Sequence, residues 1–271
     1  MLASLSPRRR LLLVATVLLA VALLAVVGSL AGLLIGLRPG EVAKPPEGPV
    51  PIVLVHGYDG TPASFDLLSS RLRAGGRQVV LVQLPDRGTG DIEASAGVVA
   101  RTVHRTGADR VDLVGYSAGG IVVRAYLGQP GVAGHVRHVV LLGAPNHGAQ
   151  LASLAALLGP QLCAGACAQL VPGSALLARL NRVVGGNEFP AGPDVTSIWT
   201  AADQTVTPPA SAMLAGARNV RVQDVCADSR VDHGGLVRDP LALGLALGAL
   251  NGTLDAKPGP SDCATLRGAG A

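Results

Sequence analysis

Aromatic residues are nearly missing from this chain. Two phenylalanines, three tyrosines and one tryptophan make up 2% of its 271 residues. None of them is interleaved with basic residues, so the surface offers no platform on which nucleic-acid bases or sugar rings could stack. Lysine is scarce too, represented only by Lys44 and Lys257. The formal charge of +4 points at first to a basic protein, yet three of the 22 basic residues and none of the 18 acidic ones lie within residues 1–37. The remainder is close to neutral, which excludes the electrostatic footprint of a nucleic-acid binder. The length allows one large domain or two small ones.

What residues 1–37 do contain is a long apolar run. Leu11 to Leu37 is 27 residues without a charge, preceded by Arg8, Arg9 and Arg10. This exceeds the ~7–15 residue apolar core of a signal peptide and the ~20 residues that cross a bilayer. No clean A-x-A cleavage site follows. Residues 1–38 therefore read as an uncleaved anchor ahead of a cleaved signal, and the run is too long for a twin-arginine signal to be preferred. Arginines on its N-terminal side predict a cytoplasmic N-terminus and an exported body. The prolines and glycines of residues 39–50 predict an extended stalk, and residues 51–271 the folded domain.

The centre of that domain is Gly115-Tyr116-Ser117-Ala118-Gly119. The apolar Val111-Asp112-Leu113-Val114 precedes it, and a helix-compatible stretch, Gly120 to Leu127, follows. Strand, tight turn and helix form the context that a G-x-S-x-G nucleophile elbow requires. The turn lifts the Ser117 hydroxyl clear of the sheet and sets the Ala118 N–H at the positive end of a helix. Other short apolar runs predict further buried strands: Ile52–Val55, Val79–Leu84 and Val139–Leu142. Thr196–Thr200 and Asn219–Gln223 read as strands as well. Predicted helices cover Asp91–Arg105, Ala149–Leu158, Ser174–Arg182 and Leu236–Leu250, and residues 149–195 have room for a small cap.

Strand ends locate the candidate partners of Ser117. Asp203 follows the strand over 196–200, and His233 follows the last strand and precedes a helix. The order Ser117, Asp203, His233 is that of a serine nucleophile, an orienting acid and a general base. Asp228 and Asp232 are rival acids; Asp232 adjoins His233 and is badly placed to reach its ring. His147, on the loop after Val139–Leu142, is a rival base, but no aspartate lies between it and Ser117. His56, in the loop His56-Gly57-Tyr58-Asp59-Gly60, reads as a brace for that loop. The four cysteines allow three pairings. In an exported chain, Cys163-Ala164-Gly165-Ala166-Cys167 reads as a small disulfide loop and not as a metal or redox site. That local pairing leaves Cys226 to Cys263.

Several segments together resemble the small secreted bacterial lipases, the lipase class 2 group of the α/β-hydrolase superfamily. They are Pro51–Gly57, Gly115–Gly120, Ser197–Asp203, Gly216–Val220 and Asp232–Leu236. The resemblance spans residues 50 to about 252. It implies a minimal α/β fold with a mostly parallel six-stranded sheet flanked by helices, and no large lid. It also implies an oxyanion hole formed by the backbone N–H groups of Tyr58 and Ala118. The expected activity is acyl-ester hydrolysis on a lipid or small ester, without metal or organic cofactor. Acyl transfer by the same residues, and a silent membrane-tethered binding module, are the alternatives. Cys226 to Asp232 departs from the pattern as an insertion before the histidine.

Overall fold

The computed structural model describes residues 50–159 and 161–271, with helical positions at 8, 15–16, 18–27 and 29. The chain divides into two units, Met1–Glu47 and Gly48–Ala271. In the first, the described apolar side chains, Leu18 to Val27, are exposed. Among the described residues no helix is long and apolar enough to cross a membrane. The anchor and stalk expectations fall largely on residues outside those described.

The second unit alternates strands and helices. Strand β1 (Ile52–Val55) leads through a 3-10 turn (Pro62–Phe65) to helix α1 (Asp66–Ala74). Strand β2 (Val79–Val82) leads to α2 (Ile92–Thr106), and β3 (Val111–Tyr116) to α3 (Ala118–Leu127). After β4 (Val136–Leu142) come α4 (Gln150–Leu157), α5 (Ala166–Gln169) and α6 (Ala175–Leu180). Strands β5 (Asp194–Trp199) and β6 (Arg218–Arg221) complete the sheet, and α7 (Val222–Val225), α8 (Pro240–Leu250) and α9 (Cys263–Gly270) end the chain.

The six strands are all parallel, in the order β2-β1-β3-β4-β5-β6. Their apolar character follows from burial on both faces. Val53, Val55, Leu113, Val139 and Leu141 point to one side, against Ile92 and Val99 of α2 and Val123 of α3. Ile52, Leu54, Val114, Val140 and Leu142 point to the other, against Leu68 and Leu72 of α1 and Leu241 and Leu245 of α8. Each such side chain taken from water contributes roughly 1.5–3 kcal/mol, so any slip in register would be costly. The chain runs from β1 to β2 on one side and then crosses back from β2 to β3 on the other side of β1. Crevices at the C-terminal ends of strands flanking such a reversal are where open α/β sheets bind ligands.

Element ends follow local chemistry. Asp91 caps α2 by accepting the Ala94 N–H at 2.7 Å, and Ser174 caps α6 through the Leu177 N–H. The helix expected over 236–250 is divided. A 3-10 turn covers Gly234–Val237, and α8 starts afresh with Asp239 as its cap and Pro240 at its first position. Proline tolerates a first turn but not a helix interior. The last strand ends at Arg221, and residues up to Val225 form a helical turn. Disulfides join Cys163 to Cys167 and Cys226 to Cys263. The second ties the segment before His233 to α9.

Candidate active site

Ser117 occupies the turn between β3 and α3 with φ 53° and ψ −129°, a backbone region that L-residues enter only under strain. Its surroundings hold it there. The Ser117 N–H donates to the Leu142 carbonyl at 2.8 Å, and the Gly120 N–H donates to the Ser117 carbonyl at 2.9 Å. Gly115 is needed for close approach, since a Cβ there would come within 2.5 Å of the Gly120 Cα. The hydroxyl therefore projects at the C-terminal edge of β3, next to the point where the strand order reverses.

Asp203 lies just beyond β5, and His233 opens the 3-10 turn that precedes α8. The His233 Nδ1–H donates to Asp203 Oδ2 at 2.7 Å, and Nε2 lies 3.0 Å from Ser117 Oγ. Both side chains are buried. The other carboxylate oxygen, Asp203 Oδ1, accepts the backbone N–H groups of Thr205 and Val206 at 2.9 and 2.7 Å. An ionised carboxylate so placed has its lone pairs satisfied and its orientation fixed. The loop carrying His233 is held from below. Thr200 Oγ1 donates to the Val231 carbonyl at 2.6 Å, and the Gly235 N–H donates to Asp232 Oδ1 at 2.8 Å.

A cavity of about 240 Å³ opens beside Ser117 and is lined largely by apolar groups, including Tyr58, Ala118, Ala149, Ala152, Cys167 and Leu170. Helix α4 and the Cys163–Cys167 loop thus form one wall of it. A larger cavity, about 340 Å³, lies between Arg124, Leu180 and Phe189 and reaches neither Ser117 nor His233. A sequence model of the alpha/beta hydrolase family matches residues 52–259, most of the chain and the whole of this arrangement. The chain belongs to the alpha/beta hydrolase family.

Solved structures agree on the fold of this alpha/beta hydrolase. Lipase B of Aspergillus fumigatus is 24% identical with a TM-score of 0.65, over 85% of this chain and 59% of that one. Lipase BlEst2 of Bacillus licheniformis in its propeptide form is 21% identical with a TM-score of 0.62, over 80% and 53%. In its mature form the same lipase is 21% identical with a TM-score of 0.56, over 74% and 91%. The chain thus spans between half and three-fifths of the first two. No curated protein matches it.

The rival residues are engaged elsewhere in the hydrolase. His147 Nε2 meets Glu188 Oε1 at 3.0 Å, and its Nδ1 lies 3.2 Å from the Ser211 carbonyl. Asp228 pairs with Arg267 at 2.9 Å, and Asp232 accepts from its own turn. A residue that the sequence reading does not single out is Arg124, two turns along α3 from Ser117. It donates to the carbonyls of Asn146, Leu180 and Glu188 and to the side chains of Asn146 and Asn181. Burial lowers its guanidinium to about 10, with the Glu188 charge opposing. It ties the end of α6 and the segment after it to the loop that follows β4. Its only sequence signal is a cation in an otherwise apolar helix.

The loop after β1 is clamped from two directions. The Gly60 N–H and the Asp59 carbonyl both bond to Arg87, at 3.0 and 2.8 Å. The buried His56 ring bridges two segments: Nδ1–H donates to the Gly57 carbonyl at 2.9 Å, and Nε2 accepts the Leu84 N–H at 3.2 Å. This explains why β2 stops at Val82, two residues short of its expected end. The bond at Nε2 needs a neutral ring. Burial pushes the His56 imidazole below its ordinary value; the Arg87 charge adds to this and the Gly57 carbonyl opposes it. The unfolded chain therefore takes up the proton first. This contribution to stability is complete above roughly pH 6.5 and is lost as the pH falls toward the lowered folded value. Burial lowers His138 as well, so the wild-type slope sums both. Thermal melts between pH 7.5 and 5 should show a shallower decline for His56→Gln. An unchanged slope would show that His56 is not buried in its neutral form.

Proposed function

We propose that this chain is a serine carboxyl-ester hydrolase, lipase-like in its substrate, that works through an acyl-enzyme. The observation that carries the reading is the hydrogen-bonded line Ser117–His233–Asp203 beside an apolar cavity. His233 Nε2 takes the proton as Ser117 Oγ attacks the ester carbonyl, and Asp203 stabilises the imidazolium and fixes its tautomer. The backbone N–H groups of Tyr58 and Ala118 hold the oxyanion; both residues border the cavity, and Ala118 opens α3. The imidazolium then protonates the departing alcohol. Water, activated by the same nitrogen, releases the acid and restores Ser117.

The acyl group occupies the cavity, which is roughly the volume of eight waters. Purified protein should therefore hydrolyse p-nitrophenyl butyrate to octanoate faster, in kcat/KM, than either the acetate or the palmitate. Equal rates across the series would show that the cavity is not the acyl site. Absence of hydrolysis at every chain length would remove the ester-hydrolase reading. Residues 1–38 direct export and tether the domain 51–271 outside the membrane through residues 39–50. The two disulfides support that location, since such bonds persist in oxidising compartments.

A further inference from the structure

In a chain with six aromatic residues among 271, two stand in file beside the candidate base. The Tyr116 ring lies 5.2 Å from the His233 ring, centroid to centroid, with the planes inclined by 33°. The buried Phe65, at the end of the turn that follows the Tyr58 loop, lies edge-to-face with Tyr116, at 6.4 Å and 81°. The Tyr116 hydroxyl donates to the backbone carbonyl of His233 at 3.3 Å. Burial, with the Asp203 charge adding to it, pushes this phenol up to about 12, so it remains a donor at any working pH. Gly143 also packs closely, since a Cβ there would lie 3.2 Å from both Cε1 and Nδ1 of His233.

We propose that Tyr116, the second residue of the pentapeptide, is the positioning residue for His233: its ring sets the imidazole plane and its hydroxyl fixes the loop that carries it. Asp203 alone cannot do this. Its bond is to Nδ1 at one edge of the ring, and the tilt of the ring about χ1 and χ2 is limited by what packs against the ring face. The face of an aromatic ring also favours the imidazolium that forms when Ser117 gives up its proton. Phe65 fixes the tyrosine in turn, through an edge-to-face contact. The proposal rests on the ester-hydrolase reading and adds a residue to it.

Tyr116→Phe keeps the ring and loses the hydroxyl; Tyr116→Leu loses both. With a p-nitrophenyl ester, kcat should fall no more than about threefold in Y116F and about tenfold or more in Y116L, with KM unchanged in both. The rate constant for reaction with a fluorophosphonate should fall by the same factors, since it depends on the same proton transfer. In a His233→Ala background, adding Y116L should change the residual rate no further, because Tyr116 acts only through His233. If Y116L does not fold, Tyr116→Met fills the space with a flexible apolar chain and carries the same expectations. A folded Y116L or Y116M that keeps wild-type kcat, or that loses activity equally with and without His233, overturns the proposal alone. Wild-type protein inert toward both reagents overturns it together with the ester-hydrolase reading.

Discussion

Asp203→Asn should lower kcat on the order of 10⁴-fold, the size of effect this change produces when it reverses the tautomer of a catalytic histidine. The reason here is specific. Asp203 Oδ1 accepts two backbone N–H groups, from Thr205 and Val206. In the variant, the amide oxygen must stay at that position, since an NH₂ group there would face two donors. The NH₂ is then forced toward His233 Nδ1, which must accept. The ring proton moves to Nε2, where it confronts the Ser117 hydroxyl and blocks proton uptake. The fold should be preserved, because the shape and the two amide bonds are kept. His147→Ala, by contrast, should reduce turnover only slightly, because that ring meets Glu188 and Ser211. A rate in Asp203→Asn within tenfold of wild type would mean that Asp203 does not set the tautomer of His233.

Gly119→Ala should be nearly as damaging, through the fold. A Cβ on Gly119 would collide with the backbone carbonyl oxygens of both Val55 and His56. These atoms belong to the end of β1, where the loop carrying Tyr58 begins, and β1 is paired on both sides. Backbone in the middle of a sheet cannot yield as a side chain would. Overpacking of this kind costs about 1–3 kcal/mol where side chains can adjust, and more is expected here. The variant should melt well below wild type or fail to accumulate. Any soluble fraction should be almost inactive, since α3 could be accommodated only by moving Ser117 away from the Tyr58 loop. A wild-type melting temperature would show that α3 and β1 are further apart than described.

Much of this architecture is written in local sequence. The unbroken run Ile52–Val55 announces a doubly buried strand, and the alternation of such runs with helix-compatible stretches announces a parallel sheet. The glycines around Ser117 mark a close turn because only a missing side chain permits the contacts observed. Asp203 stands just past β5 and His233 beyond β6 and α7, and the structure joins Asp203 to His233 and His233 to Ser117. Other features depend on contacts between distant segments. Arg87 clamps a loop 28 residues earlier in the chain, with Asp86 and Arg87 themselves at positive φ, a conformation that Asp tolerates but that an arginine does not signal. The division of 236–250 is signalled by Asp239-Pro240, a helix cap and a first-turn proline set between apolar stretches. Tyr116 is part of the most recognisable motif in the chain, yet its contact with His233 spans 117 residues.

The most direct measurement is covalent. The protein is treated with a fluorophosphonate, and the modified residue is identified by mass spectrometry of its peptides alongside a Ser117→Ala variant. The wild type should take up one equivalent, on Ser117, and lose ester hydrolysis in proportion. The folded variant should take up none and hydrolyse no ester above the uncatalysed rate. Stoichiometric labelling of Ser117→Ala, or full ester hydrolysis by it, would contradict the account at its centre.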